Sequence, residues 1–155
     1  MLRALCLLAV SSVVFAAPVA AQETHVAVIV GLSGEPEHGE TFRRWAGSLY
    51  DHVTGRLAVP KTRVLYLLED PALDAERATG KSTKAEIEKG LANSASAAGP
   101  NDVVCIVLIG HGTWDGKIAK FNLPGPDMTV ADFAAALKRV ATKDIAFVNT
   151  TRASG

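Results

Sequence analysis

Four short apolar runs, none of them alternating with polar residues, constrain this chain more than any other feature. They are "HVAVIVG" at 25–31, "TRVLYLLE" at 62–69, "DVVCIVLIG" at 102–110 and "DIAFVN" at 144–149. A strand with one face in water alternates; a strand that is apolar throughout is buried on both faces. The segments between the runs have helical spacing. "GETFRRWAGSLYDHVTGRL" puts Phe42, Trp45, Leu49 and Val53 on one face. "STKAEIEKGLANSASAA" does the same with Ile87, Leu91, Ala95 and Ala98. Thr83 with Glu86 caps its start, and Gly99 and Pro100 stop it. Thr129 with Asp132 opens a third helix, "VADFAAALKRVA", with Val130, Phe133, Leu137 and Val140 facing inward. "DPALDAERATG" and "FNLPGPD" are expected to be loops. Strands alternating with helices predict an open α/β fold with a mainly parallel sheet and helices on both faces.

The first residues stand apart from this pattern. "MLRALCLLAVSSVVFAAPVAAQ" has an early arginine, an apolar stretch and small residues at its end. That is the pattern of a secretory signal peptide over 1–21, with Val19 and Ala21 as the small residues before the cut. The stretch is too short and wrongly flanked for a stable membrane span. Cys6 falls inside it and does not begin a mature chain. The expected compartment is the periplasm or the exterior, with no membrane attachment after cleavage. One cysteine, Cys105, then remains, so no intramolecular disulfide forms. Residues 22–155 are enough for one domain with a real core. There are 16 basic and 16 acidic residues, so no electrostatic case exists for nucleic acid or an anionic membrane as partner.

Three motifs invite a ligand and fail on spacing. "ATGKST" at 78–83 resembles the end of a phosphate-binding loop, but Ala75 stands where the first glycine belongs and no strand immediately precedes it. A turn followed by a helix cap accounts for it. "GLSGEPEHGE" at 31–40 is glycine-rich, but Glu35, Glu37 and Glu40 would repel a pyrophosphate. The histidines at 25, 38, 52 and 111 show no ligand spacing and no cysteine pair accompanies them, so neither metal nor other cofactor is expected.

His111 is different, because of where it falls. In an open α/β sheet, ligands gather beyond the carboxyl ends of the strands. His111 stands at such an end, between Gly110 and Gly112. Its imidazole suits general acid–base work near neutral pH. The Gly112 N–H is placed to steady an oxyanion. Cys105 is six residues upstream on the same run, about 20 Å away at ~3.3 Å per residue, too far to be its nucleophile. The next strand end, "NTTRASG" at 149–155, is where a partner belongs.

An apolar strand ending in His-Gly, a helix, then an apolar strand ending in a small box with Ser-Gly resembles the caspase-like cysteine peptidases: legumains, metacaspases, caspases and gingipains. The resemblance runs from about His25 to Gly155. It implies a three-layer, doubly wound fold with the four runs in the order 2-1-3-4, incomplete at the carboxyl end. The separation of about 40 residues between histidine and box also suits the group. By this resemblance His111 is the catalytic histidine, Gly112 the glycine after it, and Ser154 and Gly155 the Ser-Gly. Asn149 and Thr151 would line the site. Arg152 then stands where the nucleophilic cysteine belongs, and a permanently protonated guanidinium cannot attack a carbonyl. The resemblance therefore implies a secreted, catalytically inactive relative whose partner is a peptide or protein. Two alternatives stay open. One is an active peptide hydrolase using His111 with another nucleophile, such as the hydroxyl of Thr150, Thr151 or Ser154. The other is a non-enzymatic module that binds a partner chain.

Overall fold

The computed structural model describes residues 21–151. The leader up to residue 20, and Arg152, Ser154 and Gly155 of the Ser-Gly box, lie outside the described residues. Four long strands form where the apolar runs stand: β1 (Thr24–Val30), β2 (Val64–Leu68), β4 (Val103–Ile109) and β8 (Asp144–Asn149), with a two-residue strand β3 (Gly80–Lys81) at one edge. All pairings in this sheet are parallel, in the order β3-β2-β1-β4-β8. The chain builds outward from β1 to β3, then crosses back to lay β4 on the other side of β1.

Helices flank both faces, because alternate residues of the central strands are apolar on either side. Val26, Val28 and Val30 face α1 (Pro36–Asp51) with Phe42, Ala46 and Tyr50, and Val53 just after it. Ala27 and Ile29 face the other layer, where Ile87 and Leu91 of α2 (Lys84–Ala97) and Phe133 of α3 (Val130–Leu137) are buried. The expected stripe of α2 is buried along its whole length, Ala95 and Ala98 included. The Thr83 side chain accepts from the Glu86 N–H, and Thr129 and Asp132 cap each other reciprocally.

Two expected faces are corrected. Trp45 is 54% exposed, while its neighbours Ala46 and Gly47 are buried. The contact line of α1 runs through small residues that let the helix lie close on Tyr66, and a tryptophan there would hold it off. Val130 is 70% exposed, because it is the first residue of α3 and projects past the end of the core. That helix ends at Leu137, and Val140 packs on the core after the helix has finished. Helix α1 starts at Pro36, three residues before the helical stretch that begins at Gly39, and loosens after Asp51 into a wide turn over His52–Arg56.

The first expected loop carries structure, while "FNLPGPD" is a loop from Asn122 to Asp127, between two short strands. In the first, a 3-10 turn over Pro71–Asp74 leads to β3, pinned by Arg77, whose guanidinium holds both Asp51 oxygens at 2.8 and 2.9 Å. Beyond β4, a second sheet forms from β5 (Gly112–Trp114), β6 (Ala119–Phe121) and β7 (Met128–Thr129), all antiparallel. It covers the core with Phe121, Leu123 and Met128. Among the described residues strand β8 is the edge of the main sheet, with Phe147 and Val148 open to solvent.

Candidate functional site

The sheet changes winding direction between β1 and β4, so the crevice beyond their carboxyl ends is the natural place for a ligand. His111 stands there, two residues past the end of β4. Three chain segments meet around it. The Gly31 N–H donates to the Ile109 carbonyl at 2.9 Å, the Leu32 N–H to Asn122 O at 2.9 Å, and the Asn122 N–H to His111 O at 3.0 Å. Glycine is required at two of these points. A Cβ on Gly31 would lie 2.5 Å from the Asn122 carbonyl oxygen, and one on Gly110 would lie 3.2 Å from the Gly31 backbone.

The His111 ring is half-buried and held by aromatic contacts. His38 meets it edge-on at 5.2 Å between centroids and Phe42 at 5.3 Å. Both come from the first two turns of α1. Neither was expected at the site: Phe42 was placed on the core face and His38 only weighed as a metal ligand. An i, i+4 pair on a helix shows in a sequence; the strand end it will meet, some seventy residues later, does not.

Gly112 opens β5 opposite Phe121. Because the Asn122 N–H bonds His111 O, Gly112 and Phe121 form the non-hydrogen-bonded kind of pair, and the ladder does not use the Gly112 N–H. That leaves it as a donor next to the histidine. Asp115, just beyond, is no partner for His111. Its carboxylate accepts from the Lys117 and Ile118 N–H groups at 3.0 and 2.9 Å, which turns the β5–β6 hairpin and holds its acid below the usual carboxylate range.

The end of β8 lies beside β4. Thr150 donates both its N–H, at 3.1 Å, and its hydroxyl, at 2.8 Å, to the Leu108 carbonyl. The Thr151 N–H and hydroxyl donate to Asn149 Oδ1 at 3.1 and 2.9 Å. Both threonine hydroxyl protons are thus committed locally, and neither is aimed at His111. Asn149 and Thr151 line a small apolar cavity of about 80 Å³ with Leu108, Phe121, Phe133 and Phe147.

Cys105 sits mid-strand on β4, half-buried against the α1 layer, and burial pushes its thiol up from the ordinary value. It is an inert packing residue. The "ATGKST" stretch is spent on structure: Gly80 and Lys81 pair with β2, and Thr79 bonds the Tyr66 backbone in both directions at 2.9 Å. No open ring of N–H groups remains there for a phosphate. A larger pocket of about 370 Å³ opens on the other side of β1, where Glu69 accepts from the Ser33 N–H and hydroxyl at 3.0 and 2.8 Å. Among the described residues no helix is long and apolar enough to cross a membrane. No protein-family model and no curated protein matches the chain.

Proposed function

We propose that this chain is an exported relative of the caspase- and legumain-like cysteine peptidases that has lost its nucleophile, and that it binds peptide segments at the carboxyl ends of its strands. One observation carries this reading. His111 stands at the end of β4 where the sheet changes direction, and Thr150 anchors the start of the "NTTRASG" box to the same strand three residues before it. A histidine and a nucleophile box on adjacent strand ends is the arrangement a two-residue acyl-transfer site needs. The unspent Gly112 N–H suits the third part, an oxyanion donor. Arg152 leaves that site without a thiol, and the bonding of Thr150 and Thr151 argues against a hydroxyl in its place.

The test restores the missing group. In a Cys105→Ala background, Arg152→Cys is treated with a peptidyl electrophile directed at cysteine peptidases. The expected result is labelling of residue 152 at least ~100-fold faster than in the same chain with His111→Ala, since general-base help is worth about 10²–10⁴. The chain with Arg152 is expected to bind peptides from a mixed library without turnover. Equal labelling with and without His111, in folded protein, would overturn the reading.

A further inference from the structure

The opposite end of the sheet holds a second cluster that the proposed function does not use. His25, the second residue of β1, is 3% exposed, and its Nε2 has no hydrogen-bond partner among the described residues. The nearest charge is Asp102 Oδ2 at 3.8 Å, beyond hydrogen-bond reach. A buried imidazole nitrogen without a partner is costly. Glu23, just before β1, completes the group: one atom each from Glu23, His25 and Asp102 lie within 4.8 Å of one another.

We propose that Glu23, His25 and Asp102 bind a zinc ion. The donor set is one imidazole nitrogen and two carboxylate oxygens, which zinc accepts at about 2.0–2.2 Å with water in the fourth position. Calcium and magnesium want more oxygens and no imidazole. Asp102 is already aimed. Its Oδ1 accepts from the Glu23 N–H at 2.9 Å and its Oδ2 from the Gly99 N–H at 2.7 Å, and each oxygen keeps a lone pair. Arg63 pairs with one oxygen of Glu23, which fixes that side chain and leaves the second oxygen. A groove of about 580 Å³ reaches Glu23 and His25 from solvent between β2 and α2, with room for the completing water. His25 Nε2 and Asp102 Oδ2 are 3.8 Å apart and one atom from each of the three residues lies within 4.8 Å of the others, close to the roughly 3.4 Å between ligands of a tetrahedral zinc. The ion would tie the lead-in of β1 to the lead-in of β4, segments that sequence spacing does not associate.

The test is calorimetric titration of zinc chloride into the untagged, chelator-stripped chain, with thermal melts beside it. The expected result is one zinc per chain and a rise in Tm of about 5 °C or more at 100-fold excess over Kd. Both are expected to weaken at least tenfold in Glu23→Gln and to vanish in His25→Gln. A double variant, His38→Gln with His111→Gln, is expected to bind as before. Glu23 is on the surface, so its variant keeps the test decisive if His25→Gln fails to fold. Absence of binding at micromolar zinc, binding untouched by Glu23→Gln, or binding lost with His38 and His111 would each overturn the proposal.

Discussion

The ring of His38 stands edge-on to the ring of His111 at 5.2 Å between centroids. His38 is exposed at the start of α1, so its removal leaves the core intact, while the His111 ring loses one of the two groups that fix its angle. In the Arg152→Cys chain, His38→Ala is expected to slow labelling of residue 152 about tenfold, since loss of alignment costs rate more than it costs fold. The urea midpoint should hardly move. An unchanged labelling rate would remove His38 from the site.

Gly31→Ala is expected to destabilise the fold by about 3 kcal/mol. The added Cβ would stand 2.5 Å from a backbone oxygen and 2.8 Å from the Phe121 ring, and a backbone atom cannot turn aside as a side chain can. Chemical denaturation measures it, and a cost below about 1 kcal/mol would show the β1 loop to be loosely held.

Asp132 makes stability depend on acid. The Lys84 ammonium, then the Thr129 N–H and hydroxyl, hold its carboxyl down at about 2. Its unfolded value is about 3.9. A folded value below the unfolded one means a contribution complete above about pH 5 and lost as pH falls through about 2. The difference in urea midpoint between the parent chain and Asp132→Asn is therefore expected to be constant above about pH 5 and to close near pH 2. A difference independent of pH would refute the assignment.

Ser82→Ala is expected to stabilise the chain by about 1 kcal/mol. Ser82 is fully buried where β3 meets α2, and its hydroxyl finds no partner among the described residues. Alanine keeps the volume close and removes the unsatisfied group. A loss of stability instead would point to a bound water as the missing partner.

Strands β1, β2 and β4 were legible because burial on both faces leaves unbroken apolar runs; β8 also forms at its run, but its apolar residues are exposed where two buried faces were expected. The stripe of α2 was legible because Ile87, Leu91, Ala95 and Ala98 recur at helical spacing with polar residues between them. The stripe of α1 was legible at Phe42, Leu49 and Val53, and failed at Trp45, which rims the contact that Ala46, Gly47 and Tyr50 make. Strands β3, β5, β6 and β7 are two or three residues long, too short for any period to show. At the site, His111 was found by its place at a strand end. Its holders, His38 and Phe42, and the cluster of Glu23, His25 and Asp102 are products of topology. No local pattern announces a contact that β1 and β4 make only after seventy residues of intervening chain have folded.

The three backbone bonds that join Gly31, Leu32, Asn122, Ile109 and His111 carry a mechanical consequence. They couple the β1 loop and the β5–β6 hairpin like two jaws riveted to one plate. A ligand pressing on either jaw would load the other through Asn122, which bonds Leu32 on one side and the His111 backbone on the other.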